Sequence, residues 1–251
     1  MRRSAVQLRV KPMIKSEKEE SARGVCRIGQ LGLISFPDAM EFEHRLLNLR
    51  FEEKISDTLL IFEHPPTVTL GKFGSKESVL LPAEGLEQRG IAYYDSDRGG
   101  DATFNCPGQL VVHPIINLRL RGARAYIGQL EEMILRVLAG YGIAAERAHH
   151  PGIWVGGKQI VAIGLRYSHG ISMHGLSLNV NPDLDAFKVI NLCGLADRTA
   201  TSIERELGHA VSIAEVNQRI QNAFTEVFNV ELVPVSRQEL VRECFKEGNP
   251  S

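Results

Sequence analysis

Residues 158–184 read KQIVAIGLRYSHGISMHGLSLNVNPDL. The runs QIVAIGLRYS (159–168) and ISMHGLSLNVN (171–181) are short, apolar and rich in β-branched residues, so both are expected as strands; the second alternates only partly. Just upstream, GIWV (152–155) is a third strand, and the Gly156-Gly157 pair is a hairpin signal. QLVVHPIINL (109–118) and IAAERA (143–148) add two more, while DLDAFKVI (183–190) reads as a helix leading into NLCG. Towards the N-terminus, strands are expected over 25–33, 58–63, 67–71 and 91–96. Helices are expected over 36–54, with Ser35 as N-cap and Pro37 in the first turn, and over 82–90, 123–141, 212–228 and 236–244. Strands and helices alternate irregularly, with several hairpins. The expected class is α+β, a mixed, mostly antiparallel sheet flanked by helices.

The totals narrow the function. The chain has 251 residues, enough to bury a sizeable core without staples. With 29 basic and 30 acidic residues the net charge is −1, which gives no sign of nucleic acid or an anionic membrane as partner. The four cysteines, Cys26, Cys106, Cys193 and Cys244, are scattered and none stands at CxxC spacing, so neither a zinc site nor a disulfide framework is expected. His113 and the pair His149-His150 show no ligand-like spacing to a carboxylate, so no metal is assigned. Cysteine usage points to a reducing cytoplasm. Residues 1–24 are polar and charged, lack a signal-peptide core, and are expected as a disordered extension to a single domain over 25–251.

A second stretch concentrates backbone freedom beside polar side chains: RGGDATFNCPGQL at 98–110. It resembles the substrate loop of the lipoyl(octanoyl) transferases, usually RGG-x-x-T-x-HGPGQ. Residues 158–184 resemble that family's KIAxIGxR…HGxALNVNxDL segment, NLCGL (191–195) its PCG turn, and HPPTVTLG (64–71) its HPPVYTLG element. The likeness runs from about residue 26 to about 230 in the family's order. It implies the biotin/lipoate A/B protein ligase-like fold. It also implies a reaction: an octanoyl group leaves the phosphopantetheine thiol of acyl carrier protein, rests as a thioester on Cys193, and passes to a lysine of a lipoyl domain or of the glycine-cleavage H protein. No cofactor is implied.

The residues suit that chemistry. A thiolate exchanges one thioester for another at little cost and leaves an acyl group still reactive towards an amine. A free cysteine thiol is mostly protonated at neutral pH, so the site needs a base or a positive charge nearby. Taken alone, Cys193 fits either a small core residue or, with Gly194 after it, an accessible turn. In the loop, successive glycines let backbone N–H groups converge on a developing oxyanion. The resemblance implies a substrate lining of Arg98, Gly99, Gly100, Asp101, Ala102, Thr103, Phe104 and Asn105 from the loop, with polarity from Gln109. Ala162, Ile163 and Gly164, with Gly175, Leu176 and Ser177, would form the acyl slot; their alternative is ordinary core packing. His174 is expected to pack behind the loop, with Gly175 permitting close approach. Arg166 is expected to pair with a carboxylate and Trp154 to be core.

Two departures from the family stand out. Asn105-Cys106 occupies the usual His-Gly; Asn hydrogen-bonds but cannot titrate near neutrality. Cys106 is either a bland small-residue replacement or a redox partner for Cys193. The family's base, a lysine, falls on Gln159, with Lys158 one residue earlier. Neighbouring residues of a strand point to opposite faces, so either a bulge or the Gly156-Gly157 turn re-aims Lys158, or Gln159 replaces the base. Lys158 is the favoured base. Octanoyl transfer by a monomer is thus expected. The alternatives are an ATP-dependent lipoate or biotin-type ligase, which needs no nucleophilic cysteine, and a non-catalytic relative that binds an acyl chain or a carrier.

Overall fold

The computed structural model describes residues 23–119, 122–148, 152–192 and 198–245. The expected N-terminal extension falls largely on residues 1–22, outside that set, as do Cys193, Gly194, His149 and His150.

The hairpin that decides the fold is central. Strands β9 (Lys158–Ser168) and β10 (Ile171–Asn179) pair antiparallel from Ile171↔Ser168 to Leu178↔Val161. They join β1 (Gly24–Leu33), β2 (Thr58–Glu63), β6 (Gln109–Ile115), β7 (Glu146–Arg147), β8 (Gly152–Val155) and β11 (Val230–Val235) in an eight-stranded sheet of order β11-β1-β2-β6-β10-β9-β8-β7. The β11–β1 and β1–β2 pairs are parallel and the others antiparallel. A smaller sheet stands beside it, β3 (Thr67–Leu70) between β4 (Ala92–Asp95) and β5 (Ala102–Asn105).

Alternation along the central strands divides the core. Leu59 and Ile61 face helices α3 (Ala123–Ala139) and α5 (Ile213–Phe228), packing with Leu130, Ile134 and Phe224. Leu60 and Phe62, on the other face, meet α1 (Phe36–Phe51) and α6 (Arg237–Phe245) through Phe42, Leu46 and Leu240. Both large-sheet faces are therefore covered, which explains the continuous apolar runs in β2 and β6. A third cluster joins Val68, Phe104 and Phe187 beneath the small sheet, together with α2 (Ala83–Glu87). Helix α1 starts where its cap demands, Ser35 Oγ accepting from the Asp38 amide at 3.3 Å. At Gly175 a side chain would not fit, because a Cβ there would lie 2.0 Å from the Val112 carbonyl oxygen.

Several expectations need correction. Residues 102–105, read as loop, form β5, because Val68 and Phe104 pair across the two strands and bury together. The stretch 230–235, left unassigned, is β11; it forms by pairing with β1, a partner some 200 residues away in sequence. Of 143–148 only the two residues of β7 are strand, and the helix read at 183–190 is a 3₁₀ helix over 184–189. A short helix α4 (Ile203–Leu207) also went unread; its N-cap Ser202 accepts from the Arg205 amide.

Candidate active site

The loop at 98–110 is held rather than loose. Arg98 is buried, and its guanidinium donates to the Thr69 hydroxyl and carbonyl at 2.9 and 2.8 Å and to the carbonyls of Asp101 and Gly99 at 2.8 and 3.1 Å. It staples the loop to β3. Gly99 N–H donates to the Leu165 carbonyl at 2.9 Å, tying the loop to β9. Gly71 must be glycine, since a Cβ there would meet the Gly100 carbonyl oxygen at 2.4 Å. Asp101 accepts from Ser75 N–H, Ser78 Oγ–H and Ala102 N–H. Arg98 and Asp101 therefore act on the loop itself: their polar atoms fix its shape.

That shape makes one wall of a cleft. Arg98, Thr103 and Asn105 line it from the small sheet. Ala162 and Gly164 on β9, and His174, Gly175, Leu176 and Ser177 on β10, line it from the large one. The remaining expected residues lie elsewhere. Gly99, Gly100, Asp101 and Ala102 form the loop behind, Ile163 packs on the α3/α5 side of the sheet, and Phe104 and Cys106 turn into the small-sheet core. Burial pushes the Cys106 thiol up to about 12, so it is inert near neutrality. Its conceived partner, Cys193, lies outside the described residues.

Sequence reasoning missed the cluster behind this cleft. Glu43, on the buried face of α1, is fully inaccessible. It accepts from His113 Nδ1–H and, at 2.9 Å, from the backbone N–H of His174. His174 sits in the left-handed region at φ 56°. Its Nε2–H donates to Asp97 at 2.7 Å, and Asp97 also pairs with Arg166. His174 is thus packed behind the loop and Arg166 is paired with a carboxylate, as expected from sequence. Burial alone would raise the Glu43 pKa, but the charge and hydrogen bond of His113, with His174 beside it, hold it down at about 2. His113 does face a carboxylate: helix α1 supplies it from 70 residues away, which no spacing rule could show. Glu43, His113 and His174 offer ligand atoms within 4.8 Å of one another, although both Glu43 oxygens already accept hydrogen bonds.

His64, from the HPP element, also lines the cleft. Its Nδ1–H donates to the Ile34 carbonyl at 2.7 Å, leaving Nε2 as acceptor. Burial, foremost, lowers its pKa to about 4, so the ring is neutral at pH 7.

A buried amide chain runs from the loop to the other end of the site. Gln109 accepts from Cys106 N–H at 2.8 Å and donates to Asn179 at 2.7 Å; Asn179 donates to the Thr201 carbonyl at 2.8 Å. The backbone of Gln159 bonds both Thr199 and Thr201 at 2.9 Å, so the chain returning from Cys193 is zipped against β9. The Gln159 side chain is buried and Lys158 is exposed. The β8–β9 register shifts between Ile153 and Trp154, so Trp154 opposes Gln159 while Ile153 opposes Val161. Both glycines of the connecting turn have positive φ. Lys158 lines a groove whose wall includes Leu192 and Arg198, the described residues that bracket the segment holding Cys193. Trp154 is buried core.

Comparison with known proteins agrees with this architecture. Residues 35–225 match the lipoyl protein ligase A/B catalytic domain family. An octanoyltransferase of Chloroflexus aurantiacus is 45% identical over 207 residues, covering 80% of this chain and 93% of that protein. An octanoyltransferase of Rubrobacter xylanophilus is 44% identical over 216 residues, covering 84% and 96%. Among solved structures, the bipartite lipoate protein ligase of Thermoplasma acidophilum superposes with a TM-score of 0.72 at 15% identity, covering 89% of this chain and 93% of that one. A lipoate-protein ligase A bound with ATP gives 0.70 at 17%, covering 90% and 95%. At such identities the structural likeness shows the fold alone.

Proposed function

The chain belongs to the lipoyl protein ligase A/B catalytic domain family and, within it, to the octanoyltransferases; from this we propose that it moves an octanoyl group from acyl carrier protein to a lysine of a lipoyl domain or of the glycine-cleavage H protein, as a cytoplasmic monomer. The observation that carries the reading is convergence. Three sequence segments with the family's pattern meet at one cleft, and β9 runs from it to the groove where the chain enters and leaves the segment holding Cys193.

In this reading Lys158 takes the proton from Cys193. The thiolate attacks the thioester carbonyl, the carbonyl π electrons move to oxygen, and collapse expels the phosphopantetheine thiolate, which takes a proton. The acceptor lysine amine then attacks the Cys193 thioester, forming the amide and returning the cysteine. Burial of the octanoyl chain at about 0.8 kcal/mol per CH₂ supplies roughly 5 kcal/mol of binding. Ala162 and Ser177, cross-strand partners that line the cleft, would flank such a chain. Lys158 and the chain neighbours of Cys193 share one groove, which supports Lys158 as the base despite its shift from the family register.

One observation favours a second reading. Asn105 and the buried Gln159 stand where the family has groups that titrate, which fits a relative that binds an acyl carrier without turnover. Intact-protein mass spectrometry after mixing with octanoyl-acyl carrier protein separates the two. The transferase gives an octanoyl adduct that is absent in Cys193→Ala and forms at least tenfold more slowly in Lys158→Ala. Absence of the adduct in the wild type would leave the binding relative; acyl-AMP formed from ATP and octanoate would instead show ligase chemistry.

A further inference from the structure

The groove lined by Lys158, Leu192 and Arg198 has a charge pattern that the acyl cleft does not need. It is about 530 Å³, within the range of small-molecule sites, and four cations and one carboxylate line it: Lys158, Lys188, Arg198 and Arg205 against Asp185. The whole chain carries a net charge of −1, so this excess is local. Its floor is apolar, formed by the buried Phe187, Ile190 and Leu192, and Leu192 precedes Cys193 in the chain.

The cations are held differently. Arg198 lies with its guanidinium 4.9 Å from the centre of the Trp154 ring and donates to the Gly157 carbonyl at 3.4 Å, so it is positioned before anything binds. Arg205, exposed on α4, has no ion-pair partner among the described residues. Lys188 pairs with Asp185 at 2.6 Å, but both side chains are more than three-quarters exposed, so the pair is weak and available for exchange. A neutral apolar floor under a cationic rim fits a ligand that is an uncharged chain with an anionic group at one end.

We propose that this groove is the docking site for the donor's phosphopantetheine arm, with the uncharged arm along the Phe187–Leu192 floor and the phosphodiester held by Lys188, Arg198 and Arg205. The assignment rests on the octanoyl-transfer reading above and specifies how its donor is recognised. Guanidinium and ammonium groups bind phosphate oxygens through charge-assisted hydrogen bonds. Docking there delivers the thioester end of the arm towards Leu192 and so to Cys193.

The test is acylation without acceptor, followed by mass, with octanoyl-pantetheine, octanoyl-phosphopantetheine and octanoyl-acyl carrier protein as donors. For the double variant Lys188→Gln/Arg205→Gln, acylation by the two phosphate-bearing donors is expected to slow at least tenfold and that by octanoyl-pantetheine to stay within twofold. The charge-keeping Lys188→Arg/Arg205→Lys variant should stay near the wild type with all three. Equal rates for variant and wild type overturn the proposal, as does an equal loss with every donor. A loss confined to the carrier protein moves the contact from the phosphate to the protein surface and also overturns it. Slowing only of the second transfer assigns the groove to the acceptor instead. If the wild type is acylated by none of the donors, octanoyl transfer itself fails, which is a separate result.

Discussion

The two ends of β9 treat charge in opposite ways. Near its C-terminal end, Arg166, Asp97, His174, Glu43 and His113 form one chain of contacts, and Glu43 and His174 are buried. At its N-terminal end Lys158 faces an open groove with three more exposed cations. Buried charges survive only with partners, so the first end is a scaffold built around Glu43, both of whose oxygens already accept hydrogen bonds. Exposed charges keep their hydration and can exchange it for a ligand. Burial with pairing therefore marks the charges that hold the site's shape, and exposure marks the cations open to a ligand.

The largest test breaks the scaffold. Glu43→Ala leaves His113 Nδ1–H and the His174 amide without their acceptor in a closed interior. It should cost about 3–5 kcal/mol, read as a lower urea midpoint with an unchanged slope. An effect below about 1 kcal/mol would mean that water or another acceptor replaces the carboxylate.

A somewhat smaller effect should appear as pH falls. His64 has a folded pKa of about 4 against an ordinary 6.5, so between these values the unfolded chain binds the extra proton and the native state does not. The associated stability is full above pH 6.5 and is lost down to pH 4, up to roughly 3 kcal/mol. Glu43, held at about 2 against 4.5, keeps its contribution above pH 4.5 and loses it as the pH falls towards 2. His64→Gln should therefore flatten the stability curve between pH 6.5 and 4 while leaving the lower segment in place. Urea titrations at stepped pH would show this.

The smallest effect belongs to the open end. Arg205→Gln should change the unfolding free energy by less than about 0.5 kcal/mol, because its side chain is exposed and makes no ion pair among the described residues. A loss above 1 kcal/mol would make Arg205 part of the scaffold and erase the contrast.

Local pattern determined much of this protein. The apolar runs of β2, β6, β9 and β10, the Ser35 cap and the helical spacing of α1, α3 and α5 are properties of neighbouring residues, and sequence reading finds them for that reason. The same holds for the motifs at 64–71, 98–110 and 158–184, which placed Thr103, Asn105, Gly164 and Ser177 in one cleft. What escaped depends on distant partners. Strand β11 exists because β1 pairs with it, and β5 because β3 does. Glu43 looks like one more helix glutamate until α1 packs on β10 and buries it against two imidazoles. Arg98, which the motif offers to a substrate, spends its donors on two of the loop's own carbonyls and on Thr69 of β3. A side chain's type is written in the sequence, but its solvation and its partners are set by what the folded chain brings against it, and those decide its chemistry.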